Sequence, residues 1–335
     1  MAAELRTHLQ SALGDAYLLG RELGGGGMSR VFLVEDVALH RQLVVKVLPL
    51  EMAVDVSVAR FQREIALIAQ LQHPHIVPLL TTGETHGLPY YTMPFVQGES
   101  LRDRLARDGE LPIAEAVRLL REMATALAYA HERGIVHRDI KPENVLLSGG
   151  IALVADFGVA KALINSATAE RGPLTSVGIA IGTPAYMSPE QVTADPSVDH
   201  RADIYALGMV AYEMLAGQTP FAGRTAQALL SAHVVDTPEP LQNRRAAIPP
   251  ALATLVMGCL EKRPADRPQN ATAIVHALDA LTTPTQISVP RNRSSRASRA
   301  MLVSAALVAA IGVAGGSGCG ALERNRPRHR WARVC

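Results

Sequence analysis

His137-Arg138-Asp139-Ile140-Lys141-Pro142-Glu143-Asn144, followed by the apolar run Val145-Leu146-Leu147, decides the reading of this chain. Twelve residues after Asn144 stands Asp156-Phe157-Gly158. That tripeptide alone carries little, because chance supplies it often. Upstream, Lys46 lies inside the β-branched run Gln42-Leu43-Val44-Val45-Lys46-Val47-Leu48, and Glu64 follows in a helical pattern. A strand Lys held by a helix Glu can bridge the α- and β-phosphates of a nucleotide. Taken alone, the two read equally well as a snorkelling Lys and a solvated Glu. Further upstream comes Leu23-Gly24-Gly25-Gly26-Gly27-Met28-Ser29-Arg30-Val31. Glycines there let backbone N–H groups approach phosphate oxygens, although a glycine run by itself is more often a hairpin or linker. In this order and spacing, chance is no longer an explanation.

The surrounding pattern gives an α+β architecture. Residues 17–51 read as short strands. Residues 57–72 switch to helical spacing, with Val58, Phe61, Ile65 and Ile68 on one face and Pro74 ending the helix. Two further strands are expected at 76–80 and 88–95. A helix is expected over 113–133, closed by Gly134. Beyond residue 200 the pattern is almost wholly helical to Leu281. A small β-rich lobe thus precedes a larger α-rich one.

These segments resemble the protein-kinase superfamily over residues 17–281, and bacterial receptor-type serine/threonine kinases in particular. GGGGMSRVF, HPHIV, VHRDIKPENVLL, DFGVAK, GTPAYMSPEQ, DIYALGMVAYEMLAG and KRPADRP are similar to that family's signatures. The resemblance implies the two-lobed kinase fold, ATP as phosphoryl donor, Mg²⁺ (or Mn²⁺) as metal, and protein Ser/Thr hydroxyls as acceptors. It implies that Asp139 orients the attacking hydroxyl, that Lys141 offsets γ-phosphate charge, and that Asn144 and Asp156 hold the metal. ATP would lie against residues 23–31, Lys46 (with Glu64), and the Phe95-Val96 hinge behind the gatekeeper Met93. The KPEN form of the loop and Thr183 imply Ser/Thr specificity. Glu190 and Arg267 resemble a buried ion pair anchoring the activation segment, and Asp203 a helix carboxylate that ties down the catalytic loop. His137 and Phe157 read as packing residues. Two positions depart from the family pattern: Ser29 replaces the third glycine, and Val44 replaces a smaller residue above the adenine.

Arg138 precedes Asp139, and in the family such an Arg pairs with a phosphorylated activation-loop residue. Thr168, Thr175 and Ser176 are the hydroxyls available, with Thr175 eight residues before Thr183. Phosphorylation in trans between two copies is therefore expected. Two alternatives stand beside the active kinase. A scaffold would lack one of Lys46, Asp139, Asn144 or Asp156, and none is missing. A small-molecule phosphotransferase would lack the Gly182-Thr183-Pro184-Ala185-Tyr186-Met187-Ser188-Pro189-Glu190 segment that docks a polypeptide.

Charge and composition agree with that reading. The net charge of +2 divides into an acidic domain and a basic tail, because residues 282–335 hold nine Arg and one Glu. An acidic main domain argues against nucleic acid as a partner. Only four of the 33 basic residues are Lys: Lys46, Lys141, Lys161 and Lys262. All fall in or beside the quoted segments, where an ammonium point charge differs from a guanidinium fork. Three cysteines without ligand spacing exclude a disulfide scaffold. The opening MAAELRTHLQ is polar and is not a signal peptide.

Residues 282–299, rich in Pro, Ser and Arg, read as a flexible linker. Residues 300–322 carry no charge, and at 1.5 Å per residue suffice to cross a ~30 Å hydrocarbon core. A single-pass membrane helix is expected there, with the kinase domain cytoplasmic and 323–335 a short basic tail. The glycine-rich 315–320 weakens that helix, and the alternative is a peripheral tail on a cytoplasmic protein.

Overall fold

The computed structural model describes residues 2–24, 29–48, 63, 65–157 and 184–282. Gly25, Gly26, Gly27, Met28, Glu64, Thr168, Thr175, Ser176 and Thr183 lie outside these residues, as do 283–299 of the expected linker and all of 300–335. Helix α1 (Ala2–Leu13) leads into strands β1 (Tyr17–Gly24), β2 (Arg30–Asp36), β3 (Arg41–Val47), β4 (Thr81–Thr85) and β5 (Leu88–Pro94). The five strands form one antiparallel sheet in the order β1-β2-β3-β5-β4.

The sequence of β3 explains why both faces of this sheet are covered. From Leu43 to Val47 its side chains alternate between faces, and both sets are apolar apart from Lys46. Val45 and Val47 join Phe32, Val34 and Tyr90 in a small core closed by Leu9 and Leu13 of α1. Val44 faces the other way, with Tyr91 and Met93, into the core that continues through the second lobe. Helix α1 was not expected from the sequence. Its apolar stripe is one residue wide (Leu5, Leu9, Leu13) in a polar segment, a weak periodic signal. Gln10 fastens it, donating to Tyr17 O at 2.8 Å and accepting from Leu19 N at 2.8 Å. Each fully buried Leu stabilises the lobe by about 1.5–3 kcal/mol.

The strand expected at 76–80 does not form. Only Ile76 bridges Val154, and regular pairing starts at Thr81 opposite Thr92. Pro78 supplies no N–H to a ladder. Ile76, Val77 and Leu79 are buried as packing residues instead. Of the helix expected over 57–72, the described residues 63 and 65–68 are helical.

The second lobe begins with β6 (Glu99–Ser100), α2 (Leu101–Asp108) and α3 (Ile113–His131). Ser100 caps α2 reciprocally with Asp103. Strands β7 (Val145–Ser148) and β8 (Ile151–Val154) follow the octet of residues 137–144; β7 pairs with β6 and β8 with β7. Gly98 is required here: at φ 152° a Cβ would lie 1.9 Å from Leu147 O. The helices α4 (Pro189–Val192), α5 (Arg201–Ala216), α6 (Ala226–Val235), α7 (Leu241–Arg244), α8 (Pro250–Cys259) and α9 (Ala271–Thr282) complete the lobe. Helix α5 is buried on nearly every side from Ala202 to Leu215. A helix apolar all round is a core helix, and the remaining elements pack about it. The architecture is the small β lobe and larger helical lobe expected from the sequence.

Candidate active site

The octet of residues 137–144 is held from below by α5. Asp203, 1% exposed, accepts from His137 N at 2.8 Å and from Arg138 N at 2.7 Å, and meets His131 Nε2 at 2.8 Å. Burial opposes its ionisation, yet these partners, His131 foremost, hold the carboxyl below its usual range. The loop needs such an anchor because Arg138 adopts φ 68°, which non-glycine residues rarely tolerate. His137 accepts from Asp139 N through Nδ1 at 3.2 Å and faces Ala155 O through Nε2 at 2.9 Å. One ring nitrogen accepting and the other donating fixes the tautomer, and the ring tilts against Phe157 at 4.7 Å. Both residues pack the loop, as read from the sequence.

Above this base the polar groups converge. Lys141 Nζ lies 2.6 Å from Asp139 Oδ2. Asn144 Nδ2 donates to Asp139 O at 2.8 Å and to its Oδ2 at 3.1 Å. With Oδ2 occupied twice, Oδ1 is the oxygen of Asp139 left, among the described residues, to accept a proton. Asn144 likewise spends its amide N–H on Asp139, leaving its own Oδ1 for a cation. Asp156 follows β8 at φ 63°. Its Oδ2 meets Lys46 Nζ at 2.5 Å across 110 residues of sequence. Burial acts to raise the Asp156 carboxyl, but the charge of Lys46 and the hydrogen bonds from Lys46 and Tyr91 lower it overall. Among the described residues Lys46 therefore pairs with Asp156.

The walls of the cleft are apolar. Leu23, Val31, Phe95 and Val96 are partly buried against the main core, beside the buried Val44 and Met93. Phe95 N donates to Gln42 O at 3.3 Å, which fixes the link between the lobes. Gly24 is the first residue of the glycine run and Ser29 lies beyond it, and Arg30 is occupied by Glu22 in a two-pronged contact at 2.9 and 2.6 Å. A cavity wall of this kind accepts a flat aromatic ring and leaves recognition to backbone groups. A carboxylate and an amide oxygen, Asp156 and Asn144, are hard donors suited to Mg²⁺.

A buried ion pair of the second lobe is equally defined. Arg267 meets Glu190 through two contacts of 2.7 Å each, with a fully buried guanidinium. Its remaining N–H groups reach Glu261 O, Arg201 O and Lys262 O, so all five donors are used. Removing one partner of such a pair costs about 3–5 kcal/mol, because the other is left charged and buried.

Two site features were missed in the sequence. Tyr91 donates to Asp156 Oδ1 at 2.6 Å. Its only sequence signal is its place on the strand before the hinge. Arg102 of α2 gathers Glu143 at 3.0 Å, Glu213 at 2.7 Å and the hydroxyl of Tyr186 into one network beside the loop. The sequence separation of its members, up to 111 residues, hides it.

Comparison with known proteins gives the same placement. The protein kinase domain model matches residues 17–278. Serine/threonine-protein kinase PknB of Mycobacterium leprae is 42% identical over 265 residues, 77% of this chain and 42% of that protein. PknB of Mycolicibacterium smegmatis is 41% identical over 265 residues, again 77% and 42%. PknD of Mycobacterium tuberculosis is 40% identical over 274 residues, 81% of this chain and 40% of its own. The chain thus spans about two fifths of the length of the relatives it matches. The match across both lobes makes the chain a member of the protein kinase domain family.

Proposed function

We propose that this chain transfers the γ-phosphoryl group of ATP to serine and threonine hydroxyls of protein substrates. The observation that carries this is the convergence of Asp139, Lys141 and Asn144 with Asp156 and Lys46 at one cleft. Phosphoryl transfer asks for positioning and charge neutralisation more than for covalent chemistry. Asp139 Oδ1 orients the acceptor hydroxyl and takes up its proton. Lys141, already directed at the same carboxylate, neutralises charge on the transferring group. Lys46 leaves Asp156 for the α- and β-phosphates, and Glu64 is the partner expected to steady it there. A bound divalent cation supplies neutralisation of phosphate charge, and Asp156 and Asn144 are the residues to hold it; Mg²⁺ suits them and Mn²⁺ is an acceptable substitute. The glycine run, residues 24–27, with Met28 and Ser29, covers the phosphates. Phe95 and Val96 receive the adenine.

Serine/threonine specificity follows the names of the relatives, together with Lys141 and Thr183. Phosphoamino-acid analysis of a labelled protein substrate tests it: label on Ser and Thr is expected, and label on Tyr alone contradicts it.

Activation-loop phosphorylation is the regulatory reading. Arg138 Nε is buried with no hydrogen-bond partner among the described residues, and its guanidinium reaches only Val198 O at 3.3 Å. A phosphate on Thr175 or Ser176 brings about −1.5 to −2 charge and three acceptor oxygens to such a group. Activation is expected to accelerate with enzyme concentration, as a reaction between two copies must, and a Thr175→Ala, Ser176→Ala double variant is expected to stay inactive. Full activity of that variant in a continuous ATPase-coupled assay contradicts the reading.

No helix among the described residues is long and apolar enough to cross a membrane. The single-pass membrane helix is proposed on residues 300–322, outside them. Carbonate-washed membranes are expected to retain the full chain and release one ending at Leu281. Equal release of both sinks the proposal.

A further inference from the structure

Tyr91 belongs to none of the family signatures, yet it is fully buried at the site and touches Asp156, two residues beyond β8. It lies on β5 directly opposite Lys46 of β3 in the antiparallel register. Directly opposed residues present their side chains on one face of a sheet. The two side chains divide one carboxylate between them: Lys46 Nζ takes Asp156 Oδ2 at 2.5 Å, and the Tyr91 hydroxyl takes Oδ1 at 2.6 Å. The neighbours on the strand face elsewhere. Tyr90 packs in the core beneath α1, and Thr92 meets the Thr81 hydroxyl at 2.7 Å. Burial, then the adjacent carboxylate, push the Tyr91 phenol well above its ordinary range, so it remains a donor. Asp156 meanwhile holds φ 63°, a conformation that persists in a non-glycine residue only where its surroundings enforce it.

We propose that Tyr91 is a positioning residue for the metal-holding carboxylate: its hydrogen bond to Oδ1 fixes the orientation in which the side chain of Asp156 meets a cation. Lys46 is charged and is drawn away by nucleotide phosphates. The phenol is neutral and has no such competitor, so it stays with Asp156 through the exchange. The inference rests on the reading of Asp156 as a metal ligand.

The test is equilibrium binding of a fluorescent ADP analogue to the full chain across a Mg²⁺ titration, with no phosphoryl transfer involved. Wild-type binding is expected to tighten with Mg²⁺. Tyr91→Phe is expected to raise the Mg²⁺ midpoint about 10–100-fold, the usual effect of losing a group that orients a metal ligand. Para-aminophenylalanine at position 91, which restores an N–H donor, is expected to bring the midpoint back, and Tyr90→Phe to leave it unchanged. An unchanged midpoint in Tyr91→Phe overturns the proposal. A Tyr91→Phe chain that unfolds before ligand is added overturns it as well, by assigning the hydroxyl to the fold. Wild-type binding indifferent to Mg²⁺ would instead overturn the metal reading of Asp156.

Discussion

Asp139→Asn is expected to lower turnover about 10²–10⁴-fold, the range for loss of a general base, with nucleotide affinity near that of the wild type. Asn fills the same volume, and Lys141 and Asn144 both donate to one oxygen of this side chain. The amide oxygen must therefore face those two donors. Its NH₂ then points where Asp139 Oδ1 had been, so a proton acceptor becomes a donor. Nothing in the apolar wall of Leu23, Val31, Phe95 and Val96 changes. Steady-state kinetics beside direct nucleotide binding checks this, and loss of ATP binding would assign Asp139 to structure instead.

Lys46→Met is expected to reduce turnover about 10²–10³-fold, the cost of removing one preorganised electrostatic group. Met preserves the aliphatic stem in β3, so the circular dichroism spectrum is expected to stay as in the wild type. The lost ammonium acts twice. It no longer positions phosphates, and it no longer balances Asp156, whose side chain is only 13% exposed. With Tyr91 as its remaining side-chain donor, that carboxylate loses the charge that holds it below its usual range. Wild-type turnover at saturating ATP would remove Lys46 from the mechanism.

Both variants concern residues legible in the sequence, because the chemistry fixes residue type and spacing together. Asp139, Lys141 and Asn144 lie within six positions of one another and read as a unit. Helix α5 was legible for a different reason: fourteen consecutive buried residues leave a nearly continuous apolar run. The misses share a cause as well. Strand 76–80 looked apolar enough to pair, but periodicity does not report that Pro78 breaks a ladder or that Thr81 opposes Thr92. Helix α1 depends on a sheet face that exists only once β2 and β3 pair. Tyr91 shows the limit most plainly. Its meaning comes from standing opposite Lys46 and reaching Asp156, 65 residues away, and neither relation is local in sequence.

The central claim is that this cleft phosphorylates protein hydroxyls. The most direct measurement is transfer of label from [γ-³²P]ATP, comparing a generic protein substrate with an aminoglycoside and with choline, in wild type and Asp139→Asn. Label on the protein, on Ser and Thr, dependent on Asp139 and on a divalent cation, is the predicted result. Label on either small molecule with none on protein, or equal labelling by Asp139→Asn, would contradict the account.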